Sequence, residues 1–428
     1  MSEVREGFKM TELGEIPVEW KIETLDSVLD VRDGTHDSPK YINSGIPFLT
    51  SKNLRNGKLD LTEVNYISEK DHRHFSSRSF VENGDILFGM IGTVGNPVIV
   101  NLPFEVSIKN VALLKFASSN LNNKFVLEYL NSVFVNEQFR RLSNGGVQKF
   151  IALGVIRKLK IIIPTKDEQQ KIASIFSTVD AQIDETEQSI VKTKELKKGL
   201  MQQLLTKGIG HTEFKQTELG EIPVGWNIET LGSVCSKIQD GNYGAKYPKS
   251  DEMLEEGIPF LTSKVLGKYG GIQIDLINFI SEEKHKELKK AHLALNDVLL
   301  TNRGASVGAI AYVTKEIAHG NIGPQLTLLR SDSEIISSEF LYQLMKSSIV
   351  QSQMQGLDSG SAMKFFGIEE TKKFKVVLPN IEEQQRIAQI LSTVDNQIEI
   401  YEQEKAKYEE LKKGLMQQLL TGRIRVKC

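Results

Sequence analysis

The sequence predicts two tandem copies of a mixed α/β (α+β) domain, joined by two long helices that form an antiparallel coiled coil. Three observations predict it. Near-identical blocks recur once, with offsets that grow from 206 to 215 residues. Two segments of roughly 40 residues carry apolar side chains at spacings of three and four. Between the repeated blocks lie short apolar runs broken by glycine-rich turns.

The repetition comes first because it sets the architecture. Residues 11–28, TELGEIPVEWKIETLDSV, return at 217–234 as TELGEIPVGWNIETLGSV. Residues 164–183, PTKDEQQKIASIFSTVDAQI, return at 379–398 as PNIEEQQRIAQILSTVDNQI, and ELKKGLMQQLLTKGI at 195–209 returns as ELKKGLMQQLLTGRI at 410–424. A period this long is too large for a solenoid and marks a domain pair. The string GIPFLTSK also occurs at 45–52 and 257–264, but little else aligns between the blocks. Each unit thus has a near-constant part, expected to dock similar partners, and a variable part, expected to bind different things.

Within one unit, Thr165–Thr206 reads as a single helix. Pro164 stands just before it, acidic Asp167 and Glu168 fill its first turn, and Lys197 and Lys198 lie towards its end. Its expected seam runs through Ile172, Phe176, Val179, Ile183, Ile190, Leu196, Leu200 and Leu204. The second copy repeats the seam with Ile387, Leu391, Val394, Ile398, Tyr401, Tyr408, Leu411, Leu415 and Leu419. Each rod would be roughly 60 Å long. A narrow seam favours pairing of the rods with each other over each lying on its own domain. A pseudo-twofold, isologous contact makes the pair antiparallel. Because the opening block also follows the first rod, the arrangement is expected to be circularly closed. The segments Asp85–Met90, Val111–Phe116 and Leu159–Ile163 read as strands, and Leu121–Leu142 and Glu334–Gln355 as helices. The expected modules are 1–163, a first variable domain; 164–209, a first long helix; 210–378, a second variable domain; and 379–428, a second long helix and tail.

Composition excludes several classes. Hydrophobic residues at 40% and charged residues at 25% are the mix of a globular protein. Cys235 and Cys428 cannot build a disulfide framework or a four-cysteine zinc site. No apolar run approaches membrane-spanning length, and the N-terminal MSEVREGFKM lacks an apolar signal core. A cytoplasmic protein is expected. Walker, nucleophile-elbow and HExxH signatures are absent. The GMIGTVG string at 89–95 lacks a third glycine at a dinucleotide-loop offset, and the His36, His72 and His74 group has no counterpart in the second copy. Neither catalysis nor a metal is expected. Net charge is −2, and Lys/Arg against Asp/Glu count 18 to 17 over 12–160 and 17 to 20 over 218–375. If DNA is the ligand, another chain must supply much of the grip on phosphates.

Two variable domains, each followed by Pro-x-x-[DE]-E-Q-Q-[KR]-I-A and ending in LKKGLMQQLLT, resemble the specificity subunit of Type I restriction-modification systems. The blocks are Pro164–Ala173 with Leu196–Thr206 and Pro379–Ala388 with Leu411–Thr421, and the TELGEIPVxW openings resemble the start of each target recognition domain. The resemblance implies a non-catalytic subunit whose two domains each read one half of an asymmetric bipartite site on double-stranded DNA. It implies that the coiled coil sets the gap between halves and docks two DNA adenine methyltransferase subunits. Those partners, rather than this chain, would bind S-adenosylmethionine, and motor-nuclease subunits would join for cleavage. The alternative is a coiled-coil scaffold whose heads bind proteins.

Base reading needs hydrogen-bonding side chains on loops that face a groove. In the first copy Thr35 and His36 after Asp33-Gly34, then Ser51, Lys52, Asn53 and Arg55, and Gln148 and Lys149, are the candidates. In the second they are Asn242 and Tyr243 after Asp240-Gly241, Ser263, Lys264, Arg303 and Lys364.

Overall fold

The computed structural model describes residues 4–142, 150–266, 271–356 and 365–427. The chain divides into two compact units, Met1–Glu187 with Glu402–Cys428, and Gln188–Tyr401. The first unit thus combines the first globular part with the last part of the second long helix and the residues that follow it.

In the first unit a four-stranded antiparallel sheet has the order Gly95–Ile99, Ile86–Gly89, Val111–Lys115, Asp30–Asp33. Its central strands are unbroken apolar runs because both faces are buried. Ile86, Phe88, Ala112 and Leu114 enter one core cluster, and Leu87, Val111 and Leu113 enter another on the opposite face. The second unit repeats the order with Ile310–Tyr312, Val298–Thr301, Leu326–Ser331 and Cys235–Asp240. Val298, Leu300 and Leu329 again face one cluster, and Leu299 and Leu328 the other.

GIPFLTSK builds the centre of a second, three-stranded sheet in each unit. Ile46–Leu49 lies between Asn65–Ile67 and Ser107–Ile108, and Ile258–Leu261 between Asn278–Ile280 and Asn321–Ile322. Phe48 and Phe260 are fully buried. A side chain at Gly45 or Gly257 would fall on the carbonyl of Ile67 or Ile280. The GMIGTVG string is the turn between Ile86–Gly89 and Gly95–Ile99. It opens no helix, so it lacks the amide cluster that cradles phosphate.

The repeated blocks meet at one junction per unit. TELGEIPVxW forms the hairpin Phe8–Thr11/Gly14–Pro17 and its counterpart Phe214–Thr217/Gly220–Pro223, each followed by a buried tryptophan. The Trp20 indole N–H donates to Glu168 at 2.9 Å, and that of Trp226 to Glu383 at 3.0 Å. These are the glutamates of the EQQ blocks. Each also belongs to its helix start: Glu168 accepts from Thr165 Oγ1, and Asn380 accepts from the Glu383 amide. Arg425 completes the first site by bonding Glu168, and His211 completes the second at 2.9 Å from Glu383.

The long helices run Lys166–Lys207 and Ile381–Leu419 and pack together. In the first unit Asp180 meets Lys412 at 2.7 Å, Gln182 meets Tyr408 at 3.4 Å, and Glu187 meets Lys405 at 3.4 Å. Rising numbers on one helix against falling numbers on the other make the pairing antiparallel. In the second unit Lys197 pairs with Asp395.

The seam differs from the expected one at two places. Leu196 and Leu411 are 56% and 49% exposed. The next residue, Lys197 or Lys412, turns inward instead, burying its aliphatic stem while the ammonium reaches Asp395 or Asp180. Ile172, Phe176 and Leu419, with Leu415 against them, join the first unit's core, and Ile387, Leu391 and Leu204, with Leu200, join the second's. Val179, Ile190 and Ile398 are buried, while Ile183 and Val394 are half-buried. The helices thus pack on each other and on the globular parts at once.

The expected helix over Leu121–Leu142 is two helices, Asn123–Leu130 and Val133–Leu142. Ser132 breaks it by turning its hydroxyl back to the Tyr129 carbonyl at 2.6 Å. Glu334–Gln355 likewise resolves into Ser338–Met345 and Ser348–Gly356, with Ser347 bonding Leu344 O at the break.

Candidate nucleic-acid interface

The two Asp-Gly pairs occupy the same place in both units, at the end of an edge strand of the four-stranded sheet. Neither glycine can carry a side chain: a Cβ on Gly34 would strike the Ile108 carbonyl, and one on Gly241 the Ile322 carbonyl. The loop is therefore pressed onto the neighbouring short strand, and the residues that follow project from a fixed base.

In the first unit Asp33 is buried and holds Arg78 and His36, the latter at 3.1 Å. His36 also bonds Asn110 Oδ1 at 2.6 Å while its side chain stays 58% exposed. The Thr35 amide donates to Ile108 O at 3.1 Å, and its hydroxyl accepts from the Asp37 amide. Ser51 is buried, with its hydroxyl 3.5 Å from the Asn110 backbone carbonyl. Lys52 is exposed. Arg55 is exposed but tied to Asp60 at 3.2 Å and to Lys52 O at 2.9 Å.

Asn53 is a correction. It is 4% exposed, and its amide bonds the Thr50 amide and the carbonyls of Asp60 and Glu63. Those bonds close the turn after GIPFLTSK and leave no polar atom for a base. His72 is likewise a fold-holding residue, bonded to Ser107 at 2.8 Å and Glu105 at 2.9 Å.

In the second unit Asp240 is buried and accepts from Asn302 at 3.0 Å, Thr327 at 2.6 Å and Tyr243 at 3.3 Å. Burial pushes its carboxyl above the ordinary range, against the pull of those donors. The Tyr243 ring is 52% exposed, with its hydroxyl pinned between Asp240 and Pro324 O. Asn242 reaches Lys290 O at 3.5 Å. Arg303 is exposed and lies 4.3 Å from the Phe365 ring centroid. Its charge is felt at both Asp240 and Tyr243. Ser263 and Lys264 line a separate cleft of about 460 Å³ with Tyr247, Thr262, Asn278 and Gln325.

The structure thus brings Tyr243 and Arg303 together, and separately Thr35, His36 and Ser51. Gln148, Lys149 and Lys364 lie outside the described residues. Sequence reasoning missed Asn110, Ile91, Phe150 and Phe365. One signal was present: a Lys-Phe pair stands at the same distance before Pro164 and Pro379.

No helix among the described residues is long and apolar enough to cross a membrane. The family described as Type I restriction modification DNA specificity domain matches twice, over residues 17–195 and 223–410. The putative type I restriction enzyme MjaX specificity subunit of Methanocaldococcus jannaschii is 30% identical over 431 aligned positions, covering 99% of this chain and 97% of that one. The EcoBI specificity subunit of Escherichia coli is 22% identical, covering 88% and 80%. Among solved structures, the S subunit of the Type I restriction-modification system from M. genitalium superposes with a TM-score of 0.60 at 18% identity, covering 94% and 96%. With two matched domains, a full-length relative and the same fold, the chain belongs to the type I restriction-modification specificity subunits, which recognise DNA sequence and leave catalysis to partner subunits.

Proposed function

We propose that this chain reads an asymmetric, bipartite site on double-stranded DNA, one half per recognition domain, with modules at 1–163 and 210–378. One observation carries this reading: two copies of one fold present unlike side chains at the same place beside the Asp-Gly loop. His36 stands where Tyr243 does, and the neighbouring strand end differs as well. Candidate contacts are Thr35, His36, Lys52 and Arg55 in the first domain and Asn242, Tyr243, Ser263, Lys264 and Arg303 in the second.

The helical modules, 164–209 and 379–428, set the gap between the halves. Their near-identical sequences offer two similar docking faces, which suits two copies of a DNA adenine methyltransferase subunit. S-adenosylmethionine belongs to those partners, and motor-nuclease subunits join for cleavage in the cytoplasm. The near-neutral charge fits a division of labour in which the partners hold the phosphates.

The test is co-expression with a candidate methyltransferase subunit from the same genome, followed by stoichiometry and mapping of modified adenines on host DNA. One chain with two methyltransferases, marking one bipartite motif with unlike halves, is the expected result. Marks without a bipartite motif would overturn the reading.

A further inference from the structure

At the end of the central strand of each four-stranded sheet the chain runs on for two residues and pairs, through a single bridge, with the segment that precedes the last strand of the domain. In the first unit the bridge joins Ile91 to Phe150; in the second it joins Arg303 to Phe365. The registers make these positions equivalent. Gly89 faces Val111 as Thr301 faces Leu326, two residues before each bridge residue. The flanking bonds also match: Ile151 donates to Met90 O, and Phe366 to Asn302 O.

Both aromatic rings are exposed, Phe150 by 49% and Phe365 by 48%, which is unusual for phenylalanine anchored on a strand end. Ile91, at 38% exposed, continues the apolar surface in the first unit. In the second, Arg303 lies on the ring, and its guanidinium has no hydrogen-bond or ion-pair partner among the described residues. The contact with the ring holds the guanidinium beside Phe365 without using its N–H donors, and those donors make the fork that a bidentate acceptor needs.

We infer that this strand-end pair is a base-reading position in both units: Arg303 on Phe365 reads a guanine in one half-site, and Ile91 with Phe150 contacts a thymine methyl in the other. Guanine offers O6 and N7 as a paired acceptor in the major groove, and the thymine methyl is the groove's apolar feature. The inference rests on the proposed reading of a bipartite site.

The experiment uses the chain assembled with its methyltransferase partners, with binding measured on duplexes substituted base by base through the mapped site. Arg303→Ala is expected to weaken the cognate site by roughly 5- to 150-fold and to abolish preference for guanine at one position of one half. The other half should keep its preferences, and the melting temperature should not change. Arg303→Lys, which keeps the charge and loses the fork, should restore affinity more than preference. Ile91→Arg is expected to create a guanine preference at the matching position of the opposite half. Uniform weakening on every sequence would make Arg303 a phosphate contact and overturn the inference, as would no change at all. A wild-type assembly with no bipartite preference would instead sink the proposed function itself.

Discussion

Glu128 is a carboxylate inside a domain core, 3% exposed, 2.9 Å from Lys412 and beside Asp180. Burial holds its proton up to about 7, from an ordinary 4.5, with Lys412 working against the shift. The second unit carries Gln343 at the equivalent place, donating to Asp395 at 3.0 Å, and adds Lys346 nearby. With a folded value above the unfolded one, the native state binds the proton more tightly. Its stabilisation is present below about 4.5 and is lost as pH rises through about 7. Glu128→Gln should therefore flatten the pH dependence of stability. At about pH 8 it should be more stable than the parent by on the order of 1–3 kcal/mol. Thermal melts of both proteins from about pH 5 to pH 8 decide this, and parallel curves would refute it. Nothing in the sequence marks Glu128, since the carboxylate, the lysine and the aspartate meet from three distant segments.

At the scale of elements, the helices were legible and their faces only partly so. The apolar period located Lys166–Lys207 within a residue at each end and placed the second helix, Ile381–Leu419, inside 379–428. It misplaced Leu196 and Leu411, because period alone cannot tell that an inward lysine has a carboxylate waiting across the seam. The consequence is measurable in unfolding. Leu204→Ala, in a core cluster, should cost ~2–5 kcal/mol. Leu196→Ser, on an exposed face, should stay within ~0.5 kcal/mol of the parent. Equal losses would return Leu196 to the seam. The repeated Trp and Glu blocks acquire a physical role at this scale as well, because each pair forms one buried junction between a hairpin and a helix start.

For the whole molecule, the balance of charge matters more than any single contact. A chain with net charge −2 has little long-range attraction for a duplex. The isolated chain is expected to bind DNA weakly. The assembled complex should bind tightly, with affinity falling steeply as salt rises. Comparing the slope of log affinity against log salt for the two preparations tests this, and an equally steep slope for the chain alone would show that it carries the phosphate contacts itself. The ends of the chain belong to one unit, where Arg425 bonds Glu168 and Glu19.

The sequence by itself determined the duplication, the two rods, the family and the Asp-Gly loops, because repeats, helical period and turn glycines are written in neighbouring residues. Only the tertiary structure decided that Asn53 is consumed by its own turn, that Lys197 and Lys412 replace the adjacent leucines, and that Ile91 and Arg303 hold one equivalent position. The inward lysines and the strand-end pairs depend on partners far away along the chain, and Asn53 on a turn whose carbonyls lie seven and ten residues further on. Burial and hydrogen bonding are settled when distant segments close on one another, and no local pattern records which side chain will find its partner there.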